Sequence, residues 1–413
     1  MNSQTDNQRQ AGPGAKGVSG SPALLQIFNR YLNPGGEETS VRRIGRNMAD
    51  NGPFGECIFE SAEWTGPNAP SVWKQAAWAF YNPDAVRRLR EKQEQTQARA
   101  WIVHNVLPVA STGIYSEALR QKIPLIQFIH NFRPFSVTGY CWVGRQLDAT
   151  SWPRNYLREI ACGAWQNSRL KTAFLACVLG SMHLRNQFRA VKSWIAISDF
   201  MRRQFIAAGL PAERVFTLYH SWELKNAEAS FPEGDYYLFL GRLMEAKGVK
   251  QLAGAWDILA RQGGAQAPRL IIAGDGPLAD WVKAAQARNP RIEYRGYVKG
   301  EEKDRLIAGC RAVVQPSICA EALSLVIYEA YDYGKPVLVA ASGGMPELVS
   351  AETGLIHTPG VAEELAAQVR QMEGLPKQER QKMGQVGRRW LLANTDRARW
   401  KKEFYAIVER TLS

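Results

Sequence analysis

The chain is predicted to be an α/β protein built from two doubly wound domains that face an interdomain cleft. Three observations predict this. Strand-length apolar runs alternate with helical stretches, the rhythm of parallel sheets with crossover helices. The alternation begins afresh after a polar segment, "WELKNAEASFPEGD" at 222–235. A length of 413 residues is large for one hydrophobic core and suits two.

The elements follow in order. "ALLQIF" (23–28) has the length and apolarity of a buried strand. Pro34, Gly35 and Gly36 then mark a tight loop before a helix from about Glu37 to Ala49. Residues 71–100 read as helical on either side of a break near Pro83. "WIVHN" and "PLIQFIHN" are two strands ending in His104–Asn105 and His130–Asn131, with the helical "TGIYSEALRQK" between them. Helices are expected around 155–180. "SWIAISDFMRRQFIAAGLPAERVFTLYHS" supplies strand, serine cap, helix, glycine stop and strand. In the second half, "YYLFLG", "RLIIAG", "IEYRG", "AVVQPS", "PVLVAA" and "GLIHTPG" are strands. Helices near 247–262, 277–288, 301–308, 323–333 and 361–372 alternate with them. The division expected is a disordered tail at 1–21, a first domain at 22–222 and a second at 223–388. A C-terminal helix at about 389–413 either crosses back onto the first domain, with Trp390 and Trp400 fixing the hinge, or packs within the second.

Composition narrows the functional classes. With 45% apolar and 22% charged residues the chain is globular. No apolar run reaches the roughly 18–20 residues that span a bilayer. The polar, glycine-rich start has no secretory core, so a cytoplasmic location is expected. Cys57, Cys141, Cys162, Cys177, Cys310 and Cys319 show no paired metal spacing and are expected to be reduced and mostly buried. Charge is uneven. Residues 1–222 carry 26 Lys and Arg against 15 Asp and Glu, and the remainder carries 26 against 24. A basic first half suits nucleic acid, an anionic membrane face or a phosphorylated substrate, or is simply a solvated surface.

The stretch "EALSLVIYEAYDYGKPVLVAASGGMPE" (321–347) concentrates the chemistry. A helix starting near Leu323 would offer the amides of Ala322 to Val326 (Leu323, Ser324 and Leu325 among them) to a phosphate. Glu321 stands beside that end, and Glu329 follows two turns later, offset by about 80° in an ideal helix. Carboxylates accept hydrogen bonds from sugar and ribose hydroxyls. Gly343 and Gly344 let backbone approach a ligand closely. In "YYLFLGRLMEAKG", Arg242 and Lys247 leave a strand where two cations can neutralise a diphosphate. Phosphate and sugar sites together point to a nucleotide sugar.

With these motifs in order, the second half resembles the nucleotide-binding domain of the retaining glycosyltransferases of family 4, in the two-Rossmann-domain (GT-B) superfamily. The resemblance spans about 22–410 and is most specific at 237–360. It implies that Glu321 contacts the donor sugar, Glu329 holds the ribose, and Arg242 and Lys247 bind the pyrophosphate. It implies a phosphate turn at Leu323–Val326 and a nucleobase border at Tyr297 and Val298. In the first domain, "NRYLNPGGEET" resembles the family's glycine loop, with Gly35 and Gly36 near the donor phosphates. "LIQFIHNFR" resembles the segment with an active-site histidine, here His130, beside Asn131 and Arg133. "WIAISDFMRRQF" places Ser198 and Arg202 at a helix start. Asn131, Arg133, Ser198, Arg202, Gly343 and Gly344 are thus acceptor or interdomain candidates. "TLYHSW" departs from the pattern, with His220 and Ser221 where many relatives have asparagine and glycine. His104 reads as structural.

The activity implied is transfer of a hexose from a UDP- or GDP-sugar donor to a glycan or lipid-linked hydroxyl, with retention, in polysaccharide or glycoconjugate assembly. Front-face attack with the departing phosphate as base is the mechanism the resemblance implies. The alternatives are a non-catalytic nucleotide-sugar-binding scaffold and a nucleic-acid binder, for which no binding motif is present. No bound cofactor and no metal are expected, since the histidines are scattered and no acidic metal pair ends a strand. The basic half gives an anionic membrane surface as a partner, at the inner face of the plasma membrane. Trp and Phe of "VWKQAAWAF" with Arg42, Arg43, Arg46, Arg87, Arg88 and Arg90 are the candidate contacts. An ordinary amphipathic core helix is the other reading of that segment.

Overall fold

The computed structural model describes residues 21–32, 35–139, 142–143, 146–147, 156–225 and 233–413. All but the last residue of the expected tail, Pro34 of the glycine loop, Cys141, and the middle of the 222–235 segment lie outside the described residues. The first half contains strands β1 (Leu24–Arg30), β2 (Phe54–Glu60), β3 (Ala100–Val103) and β4 (Leu125–Ile129). A short hairpin, β5 (Trp142–Val143) and β6 (Gln146–Leu147), precedes β7 (Val191–Ala196) and β8 (Val215–Thr217). Its helices are α1 (Gly36–Ala49), α2 (Val72–Phe80), α3 (Pro83–Thr96), α4 (Gly113–Gln121), α5 (Tyr156–Cys162), α6 (Arg169–Leu184) and α7 (Asp199–Ala207). The second half contains β9 (Tyr236–Leu240), β10 (Arg269–Ala273), β11 (Ile292–Gly296), β12 (Ala312–Gln315), β13 (Val337–Ala340) and β14 (Gly354–His357). With them run α8 (Val249–Gly263), α9 (Ala279–Arg288), α10 (Gly300–Gly309), α11 (Leu325–Asp332), α12 (Ala362–Gly374), α13 (Lys377–Thr395) and α14 (Arg397–Leu412).

Two six-stranded sheets result, ordered β2-β1-β3-β4-β7-β8 and β11-β10-β9-β12-β13-β14. Every pairing within them is parallel. This is the expected pair of doubly wound, Rossmann-like domains enclosing a cleft. The strand order reverses between β1 and β3 in one sheet and between β9 and β12 in the other, and crevices open at the strand C-termini there. Neighbouring residues face opposite sides of the first sheet: Leu25 packs with Trp101 and Val103, Leu24 with Ile102, Ile126 and Phe128.

Three details differ from the sequence reading. Strand β2 was not anticipated, because "FGECIFE" mixes glutamate and glycine into an edge strand whose exposure alternates. Helix α13 was not anticipated either, and the C-terminal helix breaks at Asp396. Trp390 packs with the second core, whereas Trp400 and Phe404 of α14 pack under Phe128 and Ile126 of the first sheet. The chain therefore crosses back at Arg397 rather than near 389. Of the five cysteines in the described residues, all free, Cys57, Cys310 and Cys319 are buried, in line with mostly buried thiols, while Cys162 and Cys177 are exposed.

Candidate functional site

The donor-side candidates converge where β9 and β12 leave the second sheet. The loop after β9 is pinned to the loop after β12, since the amides of Ile318 and Cys319 both donate to the Ala246 carbonyl at 2.9 and 3.1 Å. Gly248 permits this approach: it has φ +69°, and a Cβ there would lie 2.0 Å from the Pro316 carbonyl oxygen. Lys247 thereby meets Glu321, Nζ to Oε1 2.5 Å, and the Cys319 thiol lies 3.7 Å from the same oxygen. Arg242 is exposed and makes no ion pair among the described residues. The two cations of the sequence reading are thus unequal, one committed to a carboxylate and one open to solvent.

Helix α11 begins at Leu325, two residues later than expected. Ser324 is its N-cap in an extended conformation, with no side-chain cap bond. Residues 321–324 are held as a loop because Gly343, at φ +62°, brings its own backbone against Glu321: a Cβ would come within 2.0 Å of the Glu321 oxygen. The Gly344 amide donates to that same carbonyl at 2.8 Å. Glu321 is therefore off the helix, and an ideal two-turn offset does not describe its relation to Glu329. Glu329 lies on α11 and pairs with Lys303 at 2.7 Å. Val326 packs against the second core and Leu323 touches both cores. Tyr297 is 73% exposed, while its neighbour Val298 is buried in the second core.

The first domain contributes a polar crevice at the β1, β3 and β4 exits. Gly35 is the N-cap of α1, and a Cβ on Gly36 would reach Leu325 of α11 at 3.6 Å. The glycine loop thus faces the start of α11 across the cleft. His104 Nδ1 and His130 Nε2 are 2.9 Å apart, so one ring donates to the other. Desolvation pushes the His130 imidazole down to about 3 and His104 well below its usual range, so both are neutral near pH 7. His220 stacks on His130, and burial keeps it neutral as well. His104, which reads as structural from the sequence, and His220, where the family pattern is broken, both touch His130. Among the described residues no His, Cys, Asp or Glu cluster is arranged to hold a metal.

Other first-domain candidates are engaged in other ways. Asn131 Nδ2 donates to Glu37 Oε2 at 3.2 Å, and the Arg133 guanidinium lies over the Trp165 ring at 4.6 Å. Ser198 caps α7 by accepting from the Met201 amide. It also abuts Gly344, where a Cβ would come 2.8 Å from its hydroxyl. Arg202 Nε donates to the Val215 carbonyl of its own domain at 2.8 Å and is not part of the crevice. Glu347, from the second domain, accepts from the Asp199 and Phe200 amides at the start of α7, and also from Arg203 and Tyr219. Ser198–Gly344 and Glu347–α7 are interdomain contacts.

The proposed basic surface is largely consumed internally. Arg42 pairs with Glu38, Arg87 with Asp84, Arg88 with Glu63 and Arg90 with Glu117. Arg43 turns to the interdomain segment, donating to the Ser221 carbonyl and covering the Trp222 ring. By contrast Trp73 on α2 is 86% exposed and Leu170 on α6 is 82% exposed, and the two helices meet through Phe80 and Phe174. Among the described residues no helix is long and apolar enough to cross a membrane.

Comparison with known proteins bears on the fold and on the second half of the chain. Residues 220–390 match the family model of Glycosyl transferases group 1, which covers the second domain. A sulfoquinovosyl transferase of Arabidopsis thaliana is 28% identical over 151 residues, 36% of this chain and 28% of that protein. O-antigen chain mannosyltransferase B of Escherichia coli is 26% identical over 204 residues, 46% of this chain and 53% of that one. The chain thus spans about a quarter to a half of these curated relatives. Among solved structures, Anabaena HepE in complex with UDP superposes with a TM-score of 0.65 at 18% identity, covering 94% of this chain and 100% of that one. Sucrose-phosphate synthase from Thermosynechococcus elongatus gives a TM-score of 0.65 at 16% identity, covering 94% and 98%. The structural likeness, over nearly the whole chain, establishes the GT-B fold.

Proposed function

We propose that this protein is a retaining glycosyltransferase of family 4 type that moves a hexose from a nucleoside-diphosphate sugar to a hydroxyl of a glycan or lipid-linked acceptor. The observation that carries the reading is the Lys247–Glu321 pair held at the approach to α11, inside the segment that matches the glycosyltransferase family. Lys247 and the open Arg242 would neutralise the diphosphate, together with amides at the start of α11. Glu321, freed from Lys247 as the diphosphate takes over that cation, would accept from hexose hydroxyls. Glu329 would take the ribose. Tyr297 would border the base. The UDP bound to the structurally similar HepE favours a uridine nucleotide as donor.

His130 is neutral and tied to His104, so it would orient the sugar rather than remove a proton. The acceptor would lie on the first domain, residues 22–222, with Asn131 and Arg133 nearby. The second domain, 223–388, would hold the nucleotide. In the front-face picture the acceptor oxygen bonds to the anomeric carbon as its bond to phosphate breaks. The electron pair leaves with the diphosphate, whose oxygen receives the acceptor proton. No resident cofactor or metal takes part in this scheme. A lipid-linked acceptor would bring the protein to an anionic membrane through the exposed α2–α6 surface. That would place it at the inner face of the plasma membrane.

The test is donor hydrolysis and product formation across UDP- and GDP-hexoses, with anomeric configuration of the product read by proton NMR. Retained configuration is expected with one donor preferred. No nucleotide release from any donor, or an inverted product, would sink the reading.

A further inference from the structure

We propose that Glu37 is a sugar-hydroxyl contact in the cleft, a role the glycosyltransferase reading did not assign and on which this proposal rests. Glu37 opens α1 directly after Gly35 and Gly36, so the loop facing α11 delivers its side chain. Its Oε2 accepts from the Tyr31 hydroxyl at 3.2 Å and from Asn131 Nδ2 at 3.2 Å, which fixes the carboxyl group. Its Oε1 has no hydrogen-bond partner among the described residues. Glu37 lines one crevice together with His104, Asn105, His130, Asn131 and Arg133, whose inner space measures about 40 Å³. Buried in the same region, His104 Nε2, His130 Nδ1 and Arg133 Nε lack partners as well. A partly apolar crevice with several unsatisfied polar atoms and one oriented carboxyl is matched to an alcohol, which donates to the acid and accepts from a ring or guanidinium N–H.

The electrostatics agree with this geometry. Tyr31 and Arg133 face the carboxyl, with His104, His130 and Tyr115 across the crevice, and both imidazoles are neutral. Burial therefore outweighs the single cation and pushes Glu37 up to about 7. The carboxylate that accepts from a hydroxyl forms as pH rises through that value, so sugar contact strengthens from pH 6 to pH 8.

The hydroxyl belongs either to the donor hexose or to the acceptor, and the experiment separates the two. Full-length wild type and Glu37→Gln are titrated calorimetrically with UDP, GDP, UDP-glucose and GDP-mannose. Sugar release to water and to octyl glucoside is followed from pH 5.5 to 8.5. Nucleoside-diphosphate affinity is expected to agree within about twofold between the two proteins. A donor contact weakens nucleotide-sugar binding at least tenfold in the variant. An acceptor contact leaves that binding alone, lowers the release rate at least tenfold and removes the rise near pH 7. Equal nucleotide-sugar affinities with superimposable pH–rate profiles overturn the proposal. A wild type that binds neither UDP nor GDP overturns the glycosyltransferase reading instead. Should Glu37→Gln fail to fold, Asn131→Ala removes one donor from Oε2 and must move the rise to higher pH; an unmoved profile counts against the proposal.

Discussion

The imidazoles of His220 and His130 lie face to face, with ring centroids 5.6 Å apart and planes 11° apart. His104 meets His130 as a tilted, hydrogen-bonded ring, and Phe128, stacked on His130, links these rings to Trp400 and Phe404 of the returning C-terminal helix. The stack joins three parts of the chain, since His220 sits where the chain leaves the first sheet for the second. The His130 and His220 planes are nearly parallel, whereas His104 is tilted 30° from His130 and meets it through a nitrogen-to-nitrogen hydrogen bond.

This stack predicts acid sensitivity. All three histidines are depressed below their unfolded value of 6.5, chiefly by burial. Their contribution to stability is therefore complete above about pH 6.5 and is lost as pH falls toward 3, because the unfolded chain takes up protons first. With three groups the slope reaches about 4 kcal/mol per pH unit at its steepest. Thermal unfolding between pH 7.5 and 4.5 should show a falling Tm that is shallower in His220→Asn. Identical pH dependence in the two proteins would remove the stack from the account.

The Lys247–Glu321 pair gives a kinetic prediction. Lys247→Ala is expected to reduce transfer about 10²–10³-fold, the scale for losing one preorganised charge at a leaving group. It should also cost about 1–3 kcal/mol, because Glu321 is then left mostly buried without its partner. Glu321→Gln should lower transfer while leaving UDP affinity within a few-fold, since the acid is assigned to the sugar. Wild-type turnover in either variant would contradict the assignment.

Glu347 offers a test of domain coupling that needs no substrate. It accepts two amides at the N-terminus of α7 from the opposite domain, where the helix dipole favours an anion. Glu347→Ala should cost about 2–3 kcal/mol and increase the radius of gyration measured by X-ray scattering. An unchanged scattering profile and melting curve would show that the domains are held elsewhere.

The membrane proposal turns on α2 and α6. Val72 and Trp73 stand out from a surface whose arginines are mostly paired with acids, so insertion of apolar side chains should dominate over charge. Binding to vesicles containing about 30% phosphatidylglycerol is expected to weaken at least fivefold in Trp73→Ser/Leu170→Ser, with only a modest salt dependence. Equal sedimentation with vesicles for both proteins would refute this face.

Much of the candidate site is legible in the sequence because its residues lie at strand exits, where short apolar runs end in glycine, cations or acids. Gly35–Gly36, Arg242–Lys247, Glu321 and Gly343–Gly344 each stand at such a punctuation mark. Glu37 was open to the same logic, being the first acid after a glycine pair at a helix start, yet nothing local shows that Asn131, 94 positions away, hydrogen-bonds to it. His104 and His220 were underestimated for the same reason. Their importance comes from ring contact with His130 across three sheet exits. The paired arginines of α1 and α3 show the converse, since clustered charge in sequence is not free charge once acids from neighbouring elements meet it.

What the amino-acid order determined by itself was the double alternation of strand and helix, and so two parallel sheets, because period and punctuation are local properties of a chain. It also determined which residue types stand at the strand exits. Only the tertiary structure decided that Lys247 pairs with Glu321, that α11 starts at Leu325, that Glu347 bridges to α7 and that three histidine rings come into contact. Those outcomes depend on backbone approaches of a few ångströms between segments tens to hundreds of residues apart, set by packing two domains against each other.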